Sequence, residues 1–154
     1  MYNLILGLLG IDILDVDTIY DIDIIPMGYV RRTRADAWKG REVVKKYYEY
    51  KNTLGYLLNR MGYKQGQSLH IAFLLPIPNS ISKKKYREYN LSLHNKKPDI
   101  DNLVKAFLDT VCKQDNFISR INCIKLYSTN PKIIIFAVKQ NYNQDVSISK
   151  AEYT

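Results

Sequence analysis

Apolar positions along this chain follow two periods, and each period predicts a different element. Residues 19–25 (Ile-Tyr-Asp-Ile-Asp-Ile-Ile) partly alternate apolar and polar, as a half-buried strand does, until Pro26 and Gly28 break the run. Residues 36–60 predict a long helix, with Asp36 as its N-cap or in its first turn. Val43, Val44, Tyr47, Tyr48, Leu54, Leu57 and Leu58 form its expected buried stripe; Gly40 and Gly55 weaken its continuity and Gly62 is its stop. Residues 68–75 are almost continuously apolar and predict a central strand ended by Pro76 and Pro78. A polar loop is expected over 79–97, long enough to suggest function or mobility. In residues 99–112 a second helix is expected, because Ile100, Leu103, Val104, Phe107, Leu108 and Val111 make one apolar face. Residues 117–127 and 132–139 then predict two strands around Ser128-Thr129-Asn130-Pro131, and their tight spacing suggests an antiparallel hairpin.

The expected order is β-α-β-α-β-β. That is a single α+β domain, with a mixed sheet and the helices packed on one face. Residues 1–18 stand outside this pattern as an N-terminal extension of unclear role, 19–140 form the domain, and 141–154 make a polar C-terminal tail.

Charge narrows the choice of partner. The chain has 154 residues, 23 Lys+Arg against 15 Asp+Glu, and a formal net charge of +8. Residues 1–30 hold five acids and no base, so the remainder carries 23 bases against 10 acids, a local net of +13. A surface so basic attracts polyanions, nucleic acid above all. The two cysteines, Cys112 and Cys123, lie eleven apart without a CxxC, and suggest reduced structural thiols in a cytoplasmic protein. The apolar run Leu4–Ile11 is too short for a membrane span and lacks the opening basic residues of a secretory signal, so no targeting segment and no membrane partner are expected.

The densest chemistry lies in Lys96-Lys97-Pro98-Asp99-Ile100-Asp101-Asn102-Leu103-Val104-Lys105. Asp99 sits at a helix start, where free N–H groups and the dipole favour a carboxylate. Side chains two apart splay by roughly 200° on an ideal helix, so Asp99 and Asp101 converge only if Asp99 precedes the regular turn. Two carboxylates ~4 Å apart repel by about 4 kcal/mol at an effective dielectric near 20. A shared proton, a lysine or a divalent cation would have to neutralise them, and such an oxygen-rich site suits Mg²⁺. Asp115 is a third acid that a helix–strand hairpin could return to the pair. Lys105 and Asp109 follow Asp101 at four-residue intervals. Alone, Asp99 suits an ordinary N-cap, Asp101–Lys105–Asp109 a solvated charge ladder, and Lys83-Lys84-Lys85 a wet loop.

Together, these residues resemble a known family. Lys97-Pro-Asp-Ile-Asp-Asn-Leu-Val-Lys-Ala-Phe-Leu-Asp109 is similar to the signature helix of RusA-type Holliday-junction resolvases. Asp115-Asn-Phe-Ile118, with Lys125 ten residues after Asp115, resembles the acidic start of their third strand, and His94 a histidine found in many members. The resemblance covers about 19–140 and is specific only over 97–125. It implies a homodimeric endonuclease that cuts four-way or branched DNA by paired symmetric nicks with Mg²⁺, or Mn²⁺ as substitute. It further implies that Asp99, Asp101 and Asp115 are catalytic metal-binding acids, Lys105 the catalytic lysine, and Asp109 and Asn102 supporting residues. Arg31, Arg32, Arg34, Lys83, Lys84, Lys85, Arg87, His94, Lys96 and Lys97 are the candidate DNA contacts. A bacteriophage or prophage origin fits such a family. This chain departs from the pattern in having Gln114 where members carry a first acid, and in its short 110–114 connection. Both departures favour one alternative on the same fold, a junction-binding protein that has lost catalysis; the acidic N-terminal extension keeps open another, a phage regulatory or interaction protein acting through residues 1–18.

Overall fold

The computed structural model describes residues 1–139; the expected polar tail lies outside them. Ten elements follow in order: α1 (Tyr2–Leu9), a 3₁₀ turn (Ile13–Asp15), β1 (Val16–Ile22), α2 (Asp36–Lys39), α3 (Glu42–Arg60), β2 (Ser68–Pro76), α4 (Lys83–Tyr89), α5 (Ile100–Val111), β3 (Arg120–Ser128) and β4 (Lys132–Val138). The strands form one mixed sheet in the order β1-β4-β2-β3. Strand β4 runs antiparallel to both β1 and β2, while β2 and β3 are parallel, with Ser68 opposite Arg120 and Pro76 opposite Ser128. The α+β class and the mixed sheet are those expected.

Strand β2 holds the centre because it is apolar on both faces. Its Leu69, Ile71, Phe73 and Leu75 pack with α3 and α5, whereas Ala72 and Leu74 point to the opposite side. This explains why β3 and β4 are not the expected hairpin. They flank β2, and the link from Ser128 to Lys132 crosses over its end. Four peptide steps of about 3.8 Å reach across the roughly 10 Å of two strand spacings.

The two long helices expected from periodicity, α3 and α5, do share one face of the sheet. A helix not foreseen, α1, covers the other. Its Ile5, Leu6 and Leu9 are buried against Ala72, Leu74, Leu126, Ile134 and Phe136, so helices lie on both faces. Gly10 ends α1 at φ 70°, and Ile11 N–H donates to Leu6 O at 2.9 Å. Only glycine adopts that left-handed turn without steric cost. Asn122 Nδ2 donates to Leu9 O at 2.7 Å, tying the same end to β3.

The single helix expected over 36–60 is two. Gly40, at φ 54°, ends the four-residue α2, and α3 starts anew at Glu42. Asp36 does not cap the long helix. Its carboxylate accepts from Thr33 N (2.6 Å), Thr33 Oγ1 (2.9 Å) and Arg41 Nη2 (2.8 Å), and pairs with Arg41 Nε. The buried stripe of α3 is Val44, Tyr47, Tyr50, Leu54 and Leu58; Val43 and Tyr48 face outward instead. The expected loop over 79–97 contains α4.

Candidate active site

The apolar face of α5 (Leu103, Val104, Phe107, Leu108, with Ala106) sinks into the core and leaves its polar face outside. At its start Asp99 is extended, with φ −69° and ψ 147°. It therefore stands before the regular turn, as convergence with Asp101 requires. Its carboxylate makes no cap hydrogen bond; the main-chain carbonyl of Asp99 accepts from Leu103 N at 3.1 Å instead. Both carboxylates are exposed, and among the described residues no cationic side chain pairs with either.

Lys125 sets where this helix begins. From β3 its Nζ donates to Lys96 O at 2.6 Å and Pro98 O at 2.8 Å, clamping the entry to α5. Lys97–Pro98 is a cis peptide bond. His94 N–H donates to Lys125 O at 3.0 Å, and its ring lies 4.3 Å from that of Tyr127. Burial first, and the Lys125 charge second, hold the His94 imidazole below its ordinary value. From the other side, Tyr29 N–H donates to Asn102 O at 2.9 Å. A Cβ on Gly28 would lie 2.9 Å from Pro98 Cβ, so only glycine fits this approach without displacement.

Lys105 is steered by two neighbours. Its Nζ lies 4.7 Å from the centre of the Tyr29 ring and 3.9 Å from Asp109 Oδ1. Tyr29 meets Tyr47 edge-on at 5.9 Å, and Lys51 lies over Tyr47 at 5.5 Å. Burial, then the charge of Asp109, push the Tyr47 phenol well above its usual range. Tyr29 and the clamping role of Lys125 escaped the sequence reading, because neither follows from spacing within the 96–105 run.

A family model for endodeoxyribonuclease RusA matches residues 23–137. The chain belongs to the RusA family. These are Holliday-junction-resolving endonucleases that act on branched DNA. No individual curated protein sequence matches the chain. The matched span holds every candidate site residue and leaves α1 and the whole of β1 outside.

For a RusA-family protein, the charged surface is as informative as the acids. Arg31, Arg32, Arg34, Lys83, Lys84, Lys85, Arg87, Lys96 and Lys97 are all exposed, whereas His94 is half-buried. Asp115 is not brought to Asp99 and Asp101. It lies past the C-terminal end of α5, where its charge helps raise the Cys112 thiol, after burial. The twelve residues of α5 span about 18 Å. Among the described residues no three His, Cys, Asp or Glu side chains gather closely enough to hold a metal. The donors at the helix start still suit magnesium, which takes one or two carboxylates and completes its shell with water and phosphate. Among the described residues, Asp99 and Asp101 offer two carboxylates free of other partners. Cys112 and Cys123 are free thiols, and no helix among the described residues is long and apolar enough to cross a membrane.

Proposed function

We propose that this RusA-family chain is a Mg²⁺-dependent endonuclease that resolves four-way or branched DNA by paired, symmetric nicks. The observation that carries this reading is the start of α5, where two unengaged carboxylates stand on a clamped backbone with Lys105 on the same helix. Asp99 and Asp101 would hold the cation, with Mn²⁺ as its substitute. When bound, magnesium supplies Lewis-acid polarisation of the phosphate and makes water a nucleophile near neutral pH. Lys105 presents positive charge toward charge developing on the phosphate, while Asp109 and Tyr29 limit where its ammonium can go. Asn102 supports the site through its main-chain carbonyl, which holds Tyr29 in place. Lys125 fixes the carbonyls of Lys96 and Pro98, and with them the backbone that leads into Asp99. The exposed bases at 31–34, 83–87 and 96–97 would grip phosphates, so binding should read branch shape and weaken with salt. Two copies related by a two-fold axis match a two-fold junction, and the setting would be the cytoplasm of a bacterial or phage-infected cell.

A second reading has one observation in its favour. With Gln114 in the sequence and Asp115 beyond the far end of α5, no third acid among the described residues joins Asp99 and Asp101. That is the arrangement of a junction-binding protein without catalysis. Incubating a labelled synthetic four-way junction with Mg²⁺, Mn²⁺ or EDTA separates the two, with Asp101→Asn as control. Paired nicks that need the cation and vanish in the variant support the enzyme. Tight binding without any cut in either cation leaves only the binding protein.

A further inference from the structure

The chain has one tryptophan, Trp38, and it is the most exposed large apolar residue described, at 91%. Indole is costly to leave in water, since it carries one of the largest apolar areas of any side chain. Trp38 is not on a frayed end. It sits on α2 within residues 31–41, a stretch with five bases (Arg31, Arg32, Arg34, Lys39, Arg41) and one acid, Asp36. That acid is the buried keystone of the stretch, bonded to Thr33 and Arg41. Arg41 Nη2 also donates to Arg31 O at 3.0 Å, closing the base of the excursion. The base lies two residues from Tyr29, whose ring carries the Lys105 ammonium. A braced, positively charged projection therefore leaves the candidate active site and presents a bare indole at its tip.

We infer that Trp38 is a stacking residue that receives an unpaired or unstacked base at the branch point, while its flanking arginines hold the adjoining phosphates. The inference rests on the branched-DNA reading above. Charge selects the partner: a second copy of this stretch would repel it, whereas a nucleic acid neutralises it. Aromatic side chains accept any base face, and a fully paired duplex offers none except at ends or branches. Trp38 would thus contribute to discrimination between branched and linear DNA, which uniform phosphate contacts cannot supply.

Because Trp38 is the sole tryptophan, intrinsic fluorescence reads its environment directly. The wild-type protein is titrated in EDTA with a four-way junction and with a linear duplex of the same base composition, and binding is followed in parallel by gel mobility shift. Stacking predicts strong quenching with the junction and little with the duplex. Trp38→Ala should lose roughly 10- to 100-fold in junction affinity, little in duplex affinity, and Trp38→Phe should recover most of the loss. Junction binding with unchanged fluorescence, or Trp38→Ala binding as tightly as wild type, overturns the stacking role alone. An emission shift that follows protein concentration without DNA overturns it in favour of a contact between copies. Failure to bind the junction at all removes both the stacking role and the branched-DNA reading.

Discussion

Replacing Lys125 by methionine tests whether the clamp before Asp99 matters to the site or only to the fold. The substitution keeps the length and apolar stem but removes the ammonium that bonds Lys96 O at 2.6 Å and Pro98 O at 2.8 Å. A hydrogen bond to a charged group contributes about 1.5–3 kcal/mol. Only the Pro98 bond is partly buried, and water can replace Lys125 at the exposed Lys96 carbonyl. The expected loss is therefore about 2 kcal/mol rather than twice that. With an unfolding entropy of about 0.3 kcal/mol/K for a domain this size, Tm should fall by roughly 7 °C. The protein stays folded at 25 °C, since a domain usually has about 5–15 kcal/mol in hand, more than twice the loss. Junction cleavage measured there should nevertheless drop about 100-fold, because a displacement near 1 Å of a reacting group has that effect. Lys125→Arg should restore part of both. The His94 imidazole gives a local readout by NMR: with the Lys125 charge gone it should titrate higher than in the wild type. Wild-type cleavage from a folded Lys125→Met protein would refute the argument, as would a His94 titration that does not move.

Asp101→Asn should reduce cleavage by at least about 100-fold while leaving junction binding nearly intact. Asp115→Asn should cost far less, given its place beyond the other end of α5; equal losses in a junction-nicking assay would show that Asp115 enters the site from a second copy. Gly28→Ala should push Pro98 away and destabilise by about 1–3 kcal/mol, measurable by urea unfolding, and an unchanged midpoint would mean that the contact relaxes freely. Arg41 and Thr33 hold the Asp36 carboxyl far below the usual carboxylate range. Its stabilising contribution is thus fully present above the unfolded value near 3.9 and is lost as pH falls below about 4. Asp36→Asn should flatten that acid limb of the stability curve; a parallel limb would place the loss elsewhere.

How much was legible in the sequence depended on the range of the cause. The stripe of α5 and the run of β2 are local patterns, and both were read nearly to the residue. Gly40 was seen as a weak point, but not that Asp36 binds Arg41 across it, because an Asp five residues before an Arg has many other fates. Around α3, Tyr50 lies about 60° from Tyr47 and Tyr48 about 100° on the other side, so Tyr50 turns inward and Tyr48 outward. Helix α1 shows no clear face in the sequence, because Asn3 is the single polar side chain of Tyr2–Leu9. The short Ser128–Lys132 link by itself suggests a hairpin; which strand sits between β3 and β4 is decided far back in the chain, by β2. In the site, Asp99, Asp101 and Lys105 were visible as a run, whereas Lys125 and Tyr29 enter through the tertiary fold. Trp38 carried a signal that could have been used: a lone tryptophan in a basic stretch.

The pairing of β1 with β4 has a consequence for synthesis. Val16 meets Val138 and Ile22 meets Ile133, so among the described residues the earliest strand to be synthesised bonds to the latest. At about 5–20 residues per second, β1 and α1 wait several seconds for their partner, with the apolar side chains of α1 exposed meanwhile. Contacts so distant in sequence also close slowly during refolding, after the local helices have formed. A nascent chain stalled before β4 emerges would therefore hold an unpaired edge and an uncovered helix, the state in which a trigger-type chaperone would find most to bind.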